Sequence, residues 1–159
     1  AGGSMGASTT RAVESIGDPA GSFSNQIRYK EFATLGVFAD FGDQTRANCW
    51  RGGFSNNIRA GSAGGEGAST VNTIDYVTIA TLGDALDFGD ATSTINAGSK
   101  GITGSSTRGL YLPGTAPNTS AIDQVTIAST GKRVFFWMFK SSINKCYRLC
   151  HHCFSGRRL

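Results

Sequence analysis

Apolar and polar residues alternate along several short stretches of the chain, with the period of two that is typical of β-strands. In the clearest stretch, residues 73–79, Ile74 and Tyr76 are expected on one face of a sheet and Val77 and Ile79 on the other. The next residues, Thr-Leu-Gly, predict a turn in which Gly83 is free to adopt a positive φ. No stretch has the apolar spacing of an amphipathic helix. The pattern therefore predicts an all-β chain.

This strand pattern recurs with a period near 48 residues. The segment IRYKEFATLGVFADFGD (27–43) aligns without gaps with IDYVTIATLGDALDFGD (74–90), and IDQVTIASTG (122–131) begins a third copy. A shorter element precedes each copy, as STTRA (8–12), NNIRA (56–60) and SSTRG (105–109). Several short strands in a unit of about 40–50 residues are typical of a propeller blade. We predict kelch-like β-propeller repeats in about three units, approximately 8–54, 55–104 and 105–131 onward.

Three such units are too few to close a propeller, which usually has about four to eight blades. Terminal units of a repeat array also leave an apolar face uncovered. We therefore expect the repeat to be incomplete or to be completed by association, either with a second copy or with other subunits.

The tripeptide Asp-Phe-Gly occurs at 40–42 and again at 87–89, and protein kinases use the same letters to bind magnesium. A kinase also needs a glycine-rich loop, a strand lysine and a His-Arg-Asp loop, and this sequence has none of them. We interpret the repeated motif as a blade turn, with phenylalanines between sheets and aspartates that accept bonds from nearby backbone N–H groups. The structural repeat positions are Phe41, Gly42, Asp43, Phe88, Gly89 and Asp90.

Charge divides the chain into two parts. Of its 159 residues only 16% are charged, yet residues 132–159 contain seven lysines and arginines and no acid. This change predicts a boundary between a β-repeat region, 1–131, and a basic tail, 132–159. The longest apolar run, VFFWMF (134–139), is far shorter than the roughly 18–20 residues of a membrane span, so membrane insertion is not expected. Nucleic-acid binding is not expected either, because the tail matches no recognisable binding module.

The tail contains the most conspicuous candidate chemistry. Cysteine and histidine are zinc ligands, and the stretch CYRLCHHC (146–153) holds five of them, including the adjacent His151 and His152, so the four ligands of a site are available. Zinc sites usually combine two separated pairs, so this crowding disfavours a metal site, and no cofactor is expected. A disulfide, including one to Cys49, and unpaired thiols in a poorly structured tail are the alternatives. The weak metal candidates are Cys146, Cys150, His152 and Cys153.

The tail also departs from the repeat, because KRVFFWMF stands where a continuation such as DALDFGD is expected. A single-base shift in permissive codons restores glycine, alanine, phenylalanine and glycine at the repeat positions. We therefore hypothesise that 132–159 is an out-of-frame reading of a further unit, which the gene sequence tests directly.

Two kinds of residue are candidates for ligand binding. Arg11, Arg59 and Arg108 recur once per unit, so they either line a face that meets acidic glycans or pair with repeat aspartates as part of the scaffold. Trp50 lies in a segment, NCWRGG, that the next unit does not share. A tryptophan there either stacks on sugars or packs in the core. No catalytic residues are predicted.

The pattern S-S-T-R-G followed by I-D-Y-V-T-I-A-T-x-G-x-A-x-D-F-G-D resembles repeats in virion and tail-associated proteins of tailed bacteriophages, particularly those of cyanobacteria. The resemblance covers roughly residues 8–131 and implies kelch-like propeller repeats in a structural or receptor-contacting virion protein. The sequence lacks the Gly-Gly, Tyr and Trp spacing of ordinary kelch repeats; its doublets include Gly52-Gly53 and Gly64-Gly65.

Three classes of function follow. The first is a non-enzymatic virion or tail component in structural or adhesion roles, with contact to host surface glycans. The second is an extracellular glycan- or protein-binding module of a cell, and the third is a small enzyme. The first is favoured, with a virion or extracellular location and with self-association or other virion subunits as partners.

Overall fold

The computed structural model describes residues 4–17, 21–92, 94, 101–112, 121–130 and 134–138, which form twelve β-strands in three sheets. Sheet I contains β1 (Met5–Ala7), β2 (Arg11–Ser15), β3 (Gln26–Glu31) and β4 (Ala39–Asp43). Sheet II contains β5 (Gly52–Ser55), β6 (Arg59–Ala63), β7 (Thr73–Thr78) and β8 (Leu86–Asp90). Sheet III contains β9 (Gly101–Gly104), β10 (Arg108–Leu112), β11 (Ala121–Thr126) and β12 (Val134–Met138).

Every sheet is an antiparallel meander in which each strand pairs with the next strand of the chain. The described residues contain no helix, which confirms the all-β prediction. Accordingly, that part of the chain offers no helix of the length and apolarity needed to cross a membrane. The three sheets are open, and within the described ranges they do not close into a ring. The propeller therefore stays a prediction.

The sheets pack on one another in chain order. The core between sheets I and II is formed by Val13, Ile27, Phe41, Ala60, Val77, Ile79 and Ala85. The core between sheets II and III is formed by Phe54, Ala63, Ile74, Phe88, Ala91, Tyr111, Val125 and Ile127. Sheet II is thus covered on both faces, and its strand β7 alternates as predicted. Ile74 and Tyr76 pack toward sheet III, while Val77 and Ile79 pack toward sheet I.

The last strand of each sheet (β4, β8 or β12), which we call its outer strand, has the same irregularity in its pairing. In sheet I, Ile27 pairs with Gly42 and Arg28 pairs with Asp40, so Phe41 is an extra residue without a register partner. The same shift leaves Phe88 as the extra residue in sheet II and Phe136 in sheet III. Such an insertion is a β-bulge, which bends a strand and re-aims its side chains.

The DFGD motif therefore lies in a strand, and its prediction as a turn is wrong. Residues 40–43 belong to β4 and residues 87–90 to β8. Gly42 and Gly89 have φ values of 143° and 131°, which glycine adopts without steric cost. The motif looked like a turn because a bulged strand needs the same permissive glycine.

The sheet boundaries differ from the units that were aligned in sequence. Each sheet begins one strand earlier than its aligned unit, since Gly52–Ser55 and Gly101–Gly104 pair with the strands that follow them. The third sheet also extends into the basic tail, because Val134–Met138 pairs with β11. The rest of the tail lies outside the described residues.

Candidate functional site

The recurring arginines are positioned by a turn motif that precedes each of them. In sheet I the Ser8 hydroxyl accepts bonds from the backbone N–H groups of Thr10 (3.2 Å) and Arg11 (3.1 Å). In sheet II the Asn56 side-chain oxygen accepts bonds from the N–H groups of Ile58 and Arg59. In sheet III the Ser105 hydroxyl accepts bonds from those of Thr107 and Arg108. A short polar side chain that bonds its own backbone two or three residues on stabilises a tight turn. Each turn therefore starts the second strand of a sheet at an arginine.

Two of these arginines bind the following sheet. The Nη1 atom of Arg11 donates to the carbonyl of Ile79 at 2.7 Å, and Nη1 of Arg59 donates to the carbonyl of Ile127 at 2.9 Å. Donor and acceptor are 68 residues apart in both cases. We call this repeated contact the arginine latch. Its acceptor is a backbone carbonyl, rather than the carboxylate of Asp43 or Asp90 that the scaffold interpretation of the sequence suggested.

Aromatic rings support the guanidinium groups from their own sheet. The Arg11 guanidinium carbon lies 4.6 Å from the Tyr29 ring centre, and that of Arg59 lies 4.7 Å from the Tyr76 ring centre. Arg11 also forms an ion pair with Glu31. These contacts hold the arginines over the sheet edge, where they can reach the neighbouring carbonyl.

Among the described residues, Arg108 makes no such contact. Its side chain is exposed, and within the described residues its guanidinium has neither a hydrogen bond nor an ion pair. The residue at the tyrosine position of sheet III is Gln124. Of the three arginines proposed for ligand binding, the structure therefore places two between sheets and leaves one on an open face.

The repeated phenylalanines also lie between sheets, as predicted. Phe41 and Phe88 are each 3% exposed. Their rings meet Tyr29 and Tyr76 edge-on, at centroid distances of 5.9 Å and 5.8 Å. The bulge directs these rings into the core.

The glycine after Phe41 allows a close approach between sheets I and II. A Cβ atom on Gly42 would lie 2.5 Å from the backbone of Gly83. The N–H groups of Gly83 and Ala85 donate to the carbonyls of Phe41 (2.9 Å) and Asp43 (2.7 Å). Gly83 has the predicted positive φ, at 145°. The outer strand of sheet I is therefore hydrogen-bonded to the last turn of sheet II.

A second repeated contact joins the sheets through threonine and aspartate. The Thr45 hydroxyl lies 2.7 Å from the Asp75 carboxylate of sheet II, and the Thr92 hydroxyl lies 2.9 Å from the Asp123 carboxylate of sheet III. Thr45 and Thr92 each follow a DFGD motif by two residues. Asp75 and Asp123 are 1% and 3% exposed. These aspartates bind the preceding segment and belong to the scaffold.

Sequence reasoning missed this threonine–aspartate contact, although its signal was present. Both copies read D-F-G-D-x-T, and the aligned segments ended two residues before the threonine. It also missed Arg51, which has no counterpart among the aligned letters. Arg51 forms a buried ion pair with Asp75 at 2.8 Å, and it donates to Ser62 at 2.9 Å and to Asn48.

Burial lowers the pKa of the Arg51 guanidinium, and the hydrogen bond and charge of Asp75 oppose that change. Because an arginine does not lose its proton in proteins, the pair is a permanent charge pair inside the molecule. The pair joins the loop that carries Arg51 to strand β7.

That loop presents Trp50. The residue is 38% exposed and has a φ of 52°, a left-handed conformation that is strained for any residue with a Cβ. Its neighbours Cys49 and Arg51 are buried, and the Cys49 backbone pairs with Glu66 on the adjoining loop. The structure therefore supports an indole ring that is partly exposed on a well-anchored loop.

A small cavity lies between sheets I and II. Its volume is about 30 Å³, and Ser15, Gln44 and Ser62 supply polar groups to its wall. A cavity of this size holds one or two water molecules and no larger ligand.

The tail candidates Cys146, Cys150, His152 and Cys153 lie outside the described residues. Within the described ranges, no group of three or more histidine, cysteine, aspartate or glutamate side chains is arranged to bind a metal ion. No protein-family model matches this chain, and no curated protein matches it either.

Proposed function

We propose that this chain is a non-enzymatic module of propeller-type repeats, and that it serves as a structural or adhesion component of a phage tail or virion. The observation that carries the proposal is the use of the recurring residues. The arginine latch and the threonine–aspartate contact each occur at both contacts between sheets. A sequence that repeats its contact residues favours a scaffold made by stacking.

An enzyme fits the described residues less well. The repeat acids that could act in catalysis, Asp75 and Asp123, are already engaged by Arg51, Thr45 and Thr92. The cavity between sheets I and II is too small for a substrate. These features support the interpretation as a structural or binding protein.

Within this proposal, Trp50 is the side chain best suited to bind a ligand. It is specific to one unit, partly exposed, and held by a strained backbone between two buried residues. Backbone strain at a supported position is a reason to suspect function. A flat indole ring provides an apolar surface for the ring of a sugar. We propose that the module binds surface saccharides at Trp50.

The test is binding of the purified chain to an array of bacterial surface polysaccharides. We expect selective binding that Trp50→Ala abolishes. Phe23→Ala is the control, because it removes a similarly exposed aromatic ring from the loop between β2 and β3. Absence of binding by the unaltered chain, or equal binding by the Trp50→Ala variant, would contradict the proposed site. Binding confined to animal-type glycans would instead favour a cellular module.

A further inference from the structure

We propose that the open face of sheet III binds the outer face of sheet I in a second copy of this chain, so that two copies close a ring of six sheets. The proposal deepens the proposed function, because it rests on the propeller-type arrangement. It follows from extending the arginine latch and the burial of apolar side chains between sheets, each of which the chain already shows twice.

The open face of sheet III carries the arginine that donates in a latch, and the described residues contain no acceptor for it. Arg108 occupies the position of Arg11 and Arg59 but is exposed and unlatched among the described residues. Ile122 occupies the position of Ile74, which is 1% exposed beneath sheet III, yet Ile122 is only half-buried. This face therefore keeps the latch arginine and the apolar isoleucine of sheets I and II, with Gln124 in place of the supporting tyrosine.

The outer face of sheet I has the acceptor side. Phe32 occupies the repeat position of Ile79 and Ile127, the residues whose carbonyls accept the latch. Ile79 and Ile127 are 1% and 0% exposed under their neighbours, whereas Phe32 is 58% exposed. Phe38, at the position of the buried Ala85, is likewise exposed. Sheet I thus shows large apolar side chains where a preceding sheet would cover them.

The polar residues of this outer face differ from those of sheet II, so the threonine–aspartate contact is not part of the proposed interface. Sheet II places the ion pair of Asp75 and Arg51 beneath sheet I. At the Asp75 position sheet I has Arg28, which pairs with Glu14 at 2.8 Å. Lys30 replaces Val77, but its ammonium group donates to the Gly36 carbonyl in its own turn. Its aliphatic stem can then cover the face without an unpaired charge at the centre.

We assign a second copy of the chain to this interface because one chain carries both the donor face, on sheet III, and the acceptor face, on sheet I. In a two-fold arrangement, sheet III of each copy meets sheet I of the other, so the same contact forms twice and the ring closes. Six sheets lie within the range of about four to eight blades found in propellers.

The first test is the mass in solution, measured by size-exclusion chromatography with light scattering from 1 to 200 µM, a range on the order of typical dissociation constants. We expect a species of twice the 16.6 kDa chain. Arg108→Glu and Phe32→Asp should each weaken it by about 10- to 100-fold in dissociation constant. Arg46→Glu, which makes the same charge change on an exposed loop residue, should leave it unchanged.

Mixing the variants tests which faces meet. An equimolar mixture of Arg108→Glu and Phe32→Asp chains should recover a dimer, because one unaltered sheet III then meets one unaltered sheet I. A dimer that depends on Arg108 but not on Phe32 would overturn the proposal in favour of a symmetric contact between two copies of sheet III. A monomer throughout the range, or a mass above two chains, would also overturn it.

Amide exchange provides a readout without substitutions. The Gly36 and Phe38 amides match those of Gly83 and Ala85, which donate to the outer strand of the preceding sheet. We expect Gly36 and Phe38 to become protected only at concentrations where the dimer forms. Equal exchange in monomer and dimer would refute the proposed faces. A dimer that binds no saccharide would contradict the proposed saccharide site alone, and a monomer that binds one would contradict this inference alone.

Discussion

The arginine latch predicts a large difference between two arginines that are equivalent in the repeat. Arg59 donates to the Ile127 carbonyl at 2.9 Å and lies 4.7 Å from the Tyr76 ring centre, whereas Arg108 makes neither contact among the described residues. Replacement by methionine keeps most of the aliphatic stem and removes the charged donor. A hydrogen bond from a charged group contributes about 1.5–3 kcal/mol, and a cation–π contact about 0.5–1 kcal/mol.

We therefore expect Arg59→Met to lower the free energy of unfolding by about 2–4 kcal/mol. For a domain of this size the melting temperature should fall by roughly 5–15 °C. The assay is urea unfolding followed by circular dichroism, at a dilution where light scattering shows a monomer. Under the same conditions Arg108→Met should change the free energy of unfolding by less than about 0.5 kcal/mol. Equal effects of the two substitutions would refute the latch.

Three further pairs of substitutions test other contacts. Gly42→Ala should lower the free energy of unfolding by about 3 kcal/mol or more, because the new Cβ atom would clash with the Gly83 backbone at a position that already has a positive φ. Gly83→Ala should lower it by only about 1–2 kcal/mol, because the space around Gly83 is open and only the backbone strain remains. Urea unfolding of the two variants measures the difference. Asp75→Leu should cost about 3–5 kcal/mol by leaving Arg51 buried and uncompensated, and adding Arg51→Met should recover part of that loss in the same assay. Trp50→Gly should be about 1 kcal/mol more stable than Trp50→Ala, because glycine relieves the strain at φ 52°, while both lose saccharide binding on the array. Equal stability of the two Trp50 variants would show that the backbone there is unstrained.

The repeat could be predicted from the sequence because the residues that recur are those that make contacts between sheets. Phe41 and Phe88 are buried between sheets, and Arg11 and Arg59 reach across to the next sheet, so each has a contact that few other side chains can make. The alternation along β7 was readable for the same reason, since both faces of sheet II are covered.

Other features could not be read in this way. The DFGD motif was mistaken for a turn because a bulge and a turn both use a glycine at positive φ. The first strands of sheets II and III were assigned to the preceding units because β5 and β9 share little sequence, although both pair with the strand after them. The partner of Arg51 depends on a contact over 24 residues that no local pattern encodes.

Phe136 bears on the hypothesis that the tail is an out-of-frame reading of a further unit. It occupies the bulge position of the third sheet in the present reading frame, and 88 and 136 are one period apart. The single-base shift hypothesised from the codons also places a phenylalanine there. Bulge register therefore does not discriminate between the two frames, and the gene sequence remains the test.

Amide hydrogen exchange, measured by NMR on the monomer, tests most directly whether the sheets stack in register. The amides of Gly83 and Ala85 lie outside the strands and are bonded to the carbonyls of Phe41 and Asp43 in sheet I. We predict that these two amides exchange slowly, at rates set by separation of the sheets, while the matching amides of Gly36 and Phe38 exchange within minutes. Exchange of Gly83 and Ala85 as fast as that of Gly36 and Phe38 would contradict the stacked arrangement.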